Sequence, residues 1–317
     1  MIANARMYSV SPRAGAAWRT LLMRVAQRAG VALDYVEHDA PAPIRALWER
    51  DDCACVLMCG YPFATAPVRY RLLAAPVPDL PRYGGLPRYF SEFIVRADSP
   101  CTSLAQTFGT RLACMLPESN SGYNAPRRYL MEFGLVDGAL YLPTEAATPT
   151  PQDVIDAVMA GRAEVGVVDS YVLDLLRLHA PERIAAVRTL AVTQSSPIPP
   201  LVASPGIDEE IALRLRGALL DAHRDPDCAE ALVMLRLARF AAVEPGDYRR
   251  LVRWAREADR AGVALTAATP VAQGLSQALP QPSSQPLSQS SSQPQPQPQP
   301  LSEPLSKPWS HPSDPLA

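Results

Sequence analysis

The sequence predicts a mixed α/β protein with two discontinuous lobes and a polar tail, and three observations carry this. Short apolar runs alternate with amphipathic stretches through about the first 260 residues, the pattern of mostly parallel sheets covered by helices. Two extended segments, residues 89–96 and 184–194, bracket one such alternating block. From about Gln273 the chain becomes Gln, Pro and Ser, too poor in apolar residues to offset its ordering entropy.

The elements follow in order. Residues 3–8 read as a strand, 14–30 as a helix closed by Gly30, and 32–36 as a second strand. A short helix over 42–50 leads to a strand at 54–58, which runs into Gly60-Tyr61-Pro62-Phe63, and 71–75 is another strand. After the extended segment 89–96 comes the bracketed block. It reads strand 111–116, helix 121–133, strand 139–142, helix 152–160, strand 164–168 and helix 170–178. A second extended segment over 184–192 precedes Pro197-Ile-Pro-Pro200 and a strand at 201–203. Three helices close the foldable part, at 208–222, 226–239 and 245–261, the second opening on Asp225-Pro226. Residues 1–90 plus 195–262 then form lobe one and 97–188 lobe two, with hinges at 89–96 and 184–194. Residues 273–317 form the disordered tail. A ligand is expected in the cleft, at the carboxyl ends of strands.

Composition narrows the function. The net charge of −2 supplies no basic field for nucleic acid. Of the 30 cations, Lys307 is the single lysine and the rest are arginine, a balance that fits coding bias better than phosphate recognition. No window offers the roughly 20 apolar residues of a membrane span. The opening Met-Ile-Ala-Asn-Ala-Arg-Met-Tyr lacks a charged segment followed by an apolar one. The expected location is therefore the cytoplasm as the sequence stands, or the periplasm if translation starts elsewhere. Cys53, Cys55 and Cys59 do not have zinc-pair spacing, and 55–59 reads as a buried strand. His38, His179, His223 and His311 are dispersed, and no triad, Walker loop or His-Glu-x-x-His is present. No motif asks for a cofactor or a metal.

The most informative stretch is Pro-Glu-Ser-Asn-Ser-Gly-Tyr-Asn-Ala-Pro-Arg-Arg, residues 117–128. It follows an apolar run and precedes a helical one, so Ser119, Asn120 and Ser121 stand at a strand-to-helix turn. The first N–H groups of a helix lack partners, and with the dipole behind them they attract an anion. The same residues serve equally as an ordinary helix cap.

At this point the chain resembles the phosphate/phosphonate substrate-binding proteins of ABC transporters, which have the type 2 periplasmic-binding-protein fold. The resemblance covers about residues 3–260. It rests on Met7-Tyr8, on Cys59-Gly60-Tyr61-Pro62, on Tyr89-Phe-Ser-Glu-Phe-Ile-Val-Arg-Ala-Asp-Ser99, and on Ser119-Asn-Ser-Gly-Tyr123, which is similar to the family's Ser-Thr-Ser-Gly anion loop. Residues 153–171, a helix, a glycine, a strand and an Asp, and the return segment 193–200 complete it. The sequence departs from the family in lacking an export signal, in having Asn120 where Thr is usual, and in having Glu164 where Asp is common.

The resemblance implies that Ser119, Asn120, Ser121 and the backbone of Gly122 and Tyr123 hold an oxyanion. Tyr8 and Tyr61, each after a strand, point to the cleft mouth as donors or stacking groups, or are simply packed aromatics. Ser91 faces the cleft if Phe90 and Glu92 face away. Asp169 ends a strand and either caps the next helix or meets an amine and repels excess anionic charge. Arg96, Arg127 and Arg128 add positive charge or lie on solvated faces. The expected function is capture of a small oxyanion (phosphate, phosphonate or phosphite) by hinge closure, without catalysis, by a monomer that hands it to an ABC transporter permease. Two other readings stay open: a cytoplasmic enzyme of the same fold acting on a small carboxylate, as the chorismate dehydratase family does, and a cytoplasmic ligand sensor.

Overall fold

A computed structural model describes residues 1–133 and 138–267. The Gln/Pro/Ser tail, residues 273–317, lies outside the described residues. The strands are β1 (Ile2–Asn4), β2 (Asp34–Tyr35), β3 (Cys53–Leu57), β4 (Arg71–Pro78), β5 (Arg88–Tyr89), β6 (Ser91–Arg96) and β7 (Arg111–Ala113). They continue as β8 (Gly138–Pro143), β9 (Val165–Asp169), β10 (Val187–Val192), β11 (Ser196–Pro197), β12 (Leu201–Ala203), β13 (Leu237–Ala241) and β14 (Val263–Thr266). The helices are α1 (Pro12–Ala29), α2 (Ile44–Trp48), α3 (Gly60–Thr65), α4 (Ala125–Leu130) and α5 (Pro151–Met159). After them come α6 (Ser170–His179), α7 (Pro181–Ile184), α8 (Glu209–Asp221), α9 (Ala229–Met234) and α10 (Pro245–Arg260).

The strands make two six-stranded sheets. The first has the order β13-β4-β12-β3-β1-β2 and the second β10-β6-β9-β7-β8-β14. In the first, β2, β1 and β3 run parallel, and the returning β12 is antiparallel to both β3 and β4. In the second, β9, β7, β8 and β14 run parallel, while β6 and β10 are antiparallel to their neighbours. The chain crosses between sheets at β5–β6 and returns at β10–β11. The two crossings are bonded to each other, since β6 pairs β10, β5 pairs β11, and Thr193 N–H donates to the Ser91 carbonyl at 2.9 Å.

Local chemistry sets the element ends that matter. Ser11 caps α1 by accepting the Ala14 N–H at 3.1 Å, Pro12 takes the first turn, and Gly30 closes the helix at φ +62°. The face of α1 carrying Ala14, Trp18, Leu21, Leu22 and Val25 is buried against the first sheet. Asn4 ends β1: its Oδ1 accepts the Arg6 N–H at 2.8 Å and its Nδ2 donates to the Val36 carbonyl at 2.8 Å. The chain therefore turns into a 3₁₀ turn over Arg6–Tyr8 rather than continuing as the strand expected to residue 8.

Other elements also differ from the sequence expectation: α3, α7 and β14 fall outside it, and β7 ends at Ala113 rather than at residue 116. The helix expected over 226–239 stops at Met234. Arg236 adopts φ +50°, and Leu237–Ala241 becomes a strand that pairs β4 and buries Leu237, Phe240 and Ala241. Pairing and burial there outweigh local helical preference. The helix expected over 121–133 begins instead as a π turn, Asn120–Asn124. Asn124 N–H reaches the Ser119 carbonyl at 3.1 Å, and Pro126 has no N–H to offer the preceding turn. The Gly122 carbonyl is taken instead by Met115 N–H at 3.1 Å.

Helix α5 lies directly on β9. A Cβ added at Gly166 would sit 2.7 Å from Val154 Cγ1 and 2.9 Å from Val158 Cγ2. Gly166→Ala is therefore expected to destabilise the fold by about 1–3 kcal/mol, the usual range for overpacking. Thermal denaturation reads this as a melting temperature lowered by several degrees. An unchanged melting temperature would show that α5 gives way freely.

Candidate functional site

Parallel strands deliver their carboxyl ends to one edge of a sheet, and the following helices start there. In this chain those starts converge. Cys59 is the N-cap of α3, Ser119 of the π turn, Thr150 of α5 and Asp169 of α6, and all four residues line one cleft of about 490 Å³ between the sheets. Four helix or turn starts thus border one space. The N–H groups of Gly122, Asp153, Tyr171 and Val172 are taken by their own caps, so what the starts lend the cleft is chiefly the positive ends of their dipoles.

The caps differ in what they leave available. Ser119 Oγ accepts the Gly122 N–H at 3.0 Å, and its own hydroxyl donates weakly to Met115 Sδ at 3.8 Å, a bond that an oxyanion acceptor could replace. Ser121 is buried in the same wall. Thr150 and Asp153 form a capping box, with Thr150 Oγ1 donating to Asp153 Oδ2 at 2.6 Å and accepting Asp153 N–H at 3.2 Å. Both are thereby occupied with each other. Gly122 is the residue that lets the turn close on β7: a Cβ there would lie 2.5 Å from Met115 Cβ.

Asp169 is the carboxylate of the cleft with a clearly raised pKa. Its Oδ1 accepts the N–H of Tyr171 at 2.7 Å and of Val172 at 3.3 Å, and its Oδ2 accepts the Tyr8 hydroxyl at 3.1 Å. Burial raises the carboxyl pKa to about 7, against the lowering effect of these three donors, and Asp174 raises it further. Tyr8 is fully buried, stacked edge-on to Tyr171 at 4.6 Å, and burial beside Asp169 pushes its hydroxyl well above the usual tyrosine range. Burial likewise raises the Cys59 thiol, partly offset by the N–H groups of Asn120 and Tyr61.

Arg6 is the single cation among the residues lining this cleft, against the carboxylates of Asp39, Glu118, Asp153 and Asp169. It donates to the Ala42 carbonyl, and burial lowers its pKa while Asp39 opposes the shift. Formal charge in the cleft is therefore negative whenever these carboxylates are ionised, and the helix amino ends supply the compensating field.

The residues named from the sequence divide into two groups. Tyr8, Ser119, Ser121 and Asp169 line the cleft together. Tyr61, Ser91, Asn120, Gly122 and Tyr123 do not lie in its lining. Tyr61 is carried on α3 and packs against the core. Ser91 is buried opposite Asp169 in the β6–β9 pair, so its neighbour in the sheet, not Ser91 itself, reaches the cleft. Asn120 is fully buried behind the turn and donates Nδ2 to the Tyr89 hydroxyl at 2.8 Å. Tyr123 lies beneath the Arg127 guanidinium at 5.2 Å, and Arg127 itself is bonded to Asp259 and the Val263 carbonyl. Arg96 and Arg128 likewise pair with Asp98 and Glu257. Sequence reasoning missed Arg6, Trp48, Glu118 and the Thr150–Asp153 start of α5. A Thr-Pro-x-Asp box was the signal for the last.

Asp169 gives a pH test. Its folded pKa lies above the ordinary carboxyl value of about 3.9, so the fold holds the protonated form more tightly than the unfolded chain does. Stability from this group is complete below about pH 4 and is lost as pH rises towards 7. In Asp169→Asn the amide oxygen still accepts the helix N–H groups. Melting curves of the two proteins are expected to show the wild type losing its advantage between pH 5 and 7, with a constant difference above 8. Parallel curves throughout would refute the raised pKa.

The profile of the family described as "ABC transporter, phosphonate, periplasmic substrate-binding protein" matches residues 9–248. No curated protein sequence matches the chain. Among solved structures, a binding-protein component of a phosphonate ABC transporter from Pseudomonas aeruginosa is 20% identical with a TM-score of 0.67, covering 82% of this chain and 88% of that one. PhnD1 of Prochlorococcus marinus, in complex with methylphosphonate, is 15% identical with a TM-score of 0.66, covering 82% and 98%. A Xanthomonas citri protein bound to chloride is 23% identical with a TM-score of 0.59, covering 82% and 98%. At these identities the structural likeness establishes the fold.

Proposed function

We propose a ligand and a mode of action for this chain, which belongs to the family of periplasmic substrate-binding proteins of phosphonate ABC transporters: it captures a small phosphorus oxyanion of the phosphonate class in the cleft between its sheets. The family is one of binding proteins, not enzymes. The observation that carries the reading is the convergence of four helix N-caps on one cleft, with the Ser119 and Ser121 side chains at the same wall. The methylphosphonate bound to the Prochlorococcus marinus protein supports it.

The parts have separate roles. Ser119, Ser121 and the N–H groups of their turn donate to the phosphoryl oxygens. Neutral donors of fixed geometry select the tetrahedral shape without inviting every anion. Arg6 adds one positive charge. Asp169 sets a ceiling on ligand charge, because its ionised form repels a dianion and its protonated form does not. A monoanion, or a zwitterion whose amine meets Asp39, Glu118 or Asp153, is the charge state the cleft tolerates best. Closure would occur by bending at the two bonded crossings, and ligand shifts that equilibrium only as far as it prefers the closed form. In this reading the protein works in the periplasm and delivers its ligand to a permease.

Isothermal titration of the chain with methylphosphonate, 2-aminoethylphosphonate, phosphate and sulfate tests the proposal. The double variant Ser119→Ala/Ser121→Ala is expected to weaken phosphonate binding by at least about 100-fold, since each lost bond to a charged group costs about 1.5–3 kcal/mol. Tight binding of small carboxylates with no response to any phosphorus oxyanion would overturn it.

A further inference from the structure

We propose that the ligand is a monosubstituted phosphoryl oxyanion, a phosphonate or a phosphate monoester, whose substituent is an apolar planar group seated against Trp48. This rests on the oxyanion reading of the cleft and names the substrate class within it.

The cleft has two unlike walls. The second sheet contributes Ser119, Ser121, Thr150 and Asp169, all helix starts. On the side of the first sheet, turns and α2 contribute Arg6, Ser9 and Asp39 together with a carbon patch of Met7, Ile44, Trp48 and Pro199, and Met115 and Leu116 add carbon from the other side. A bare oxyanion gains nothing from such a surface and loses hydration against it. A ligand that uses both walls needs a charged head and an apolar body.

Trp48 is held for this role. It is 6% exposed, its Nε1 donates inward to the Leu57 carbonyl at 2.9 Å, and its own carbonyl accepts the Tyr70 hydroxyl at 2.9 Å. With its polar atom turned into the core, the ring offers only carbon to the cleft. A pinned aromatic surface binds flat groups with little ordering cost.

Volume points the same way. A five-heavy-atom anion such as methylphosphonate displaces roughly three or four waters, about 100 Å³ at ~30 Å³ each. The cleft holds about 490 Å³, within the range that takes a substituted organic ligand.

The test is isothermal titration of the full chain with methylphosphonate, phenylphosphonate and phenyl phosphate. At least one phenyl compound is expected to bind about 10-fold or more tighter than methylphosphonate, and which of the two is tighter tells a phosphonate from an ester. Trp48→Ala is expected to abolish that advantage, with a cooperative melting transition certifying the fold of the variant. Ile44→Ser, a half-buried change on the same wall, is expected to narrow the advantage and covers the case where Trp48→Ala does not fold. Equal or weaker binding of both phenyl compounds, or an advantage untouched by the wall variants, overturns the inference while the oxyanion reading stands. Loss of that reading shows differently: no phosphorus compound binds, or binding ignores Ser119→Ala/Ser121→Ala.

Discussion

A parallel strand can hand its chain on only at its carboxyl end, and the helix that follows must begin there. That constraint governs this molecule. With β1 and β3 parallel in one sheet and β7, β8 and β9 parallel in the other, the carboxyl edges of both open on the same space. Helix starts gather there, each with its N–H groups met by a cap such as Ser119, Thr150 or Asp169. The cleft can therefore contain Asp39, Glu118, Asp153 and Asp169 against Arg6 alone, because the field of the helix starts offsets part of their charge. At Asp169 that field is met by a carboxylate cap, and at Ser119 by a neutral hydroxyl cap.

A second set of interactions holds the walls in register. Tyr8, from the turn after β1, donates across to Asp169 at the end of β9, so one hydrogen bond at the cleft floor joins the two sheets. Behind it Glu92 and Asp174, both buried, share Arg82 and Arg177: Arg82 reaches Glu92 at 2.7 Å and Asp174 at 2.8 Å, and Arg177 reaches Asp174 at 2.6 Å. Tyr83 donates to Asp174 as well. Arg82 and Tyr83 precede the first crossing, while Glu92 and Asp174 follow it. Each buried carboxylate meets both arginines, so either one alone still leaves it a partner, and the network fixes orientation more than it adds net stability.

Much of the layout was legible because periodicity and caps are local. The alternation of strands and helices, the Gly30 stop and the Pro245 helix start all follow from neighbours in sequence. Asp169 and Ser119 were legible too, as polar residues at the end of a strand and the start of a turn. What was hidden depends on distant partners. β13 forms because β4 offers it an edge, and nothing within Leu237–Ala241 announces that. Asn120 reads like a ligand but turns inward because Tyr89 waits behind it. Trp48 and Arg6 reach the cleft only through the path of the chain between β2 and β3 and the sharp Asn4 turn, neither of which has a motif.

The last described strand changes how the two sheets are tied. Helix α10 buries Tyr248 and Leu251 against α3, with Tyr248 donating to the Ile198 carbonyl at 3.0 Å, yet its far end is bonded to α4 through Arg127–Asp259 and Arg128–Glu257. Two residues later β14 joins the second sheet beside β8. The chain therefore spans the gap a third time, on a leash of Ala261 and Gly262 that reaches only about 7 Å when fully stretched. Any rotation of one sheet against the other must either slide α10 over α3 or pull it from α4. Freedom of movement is thus limited at the back of the molecule, by a helix that contributes no residue to the cleft lining.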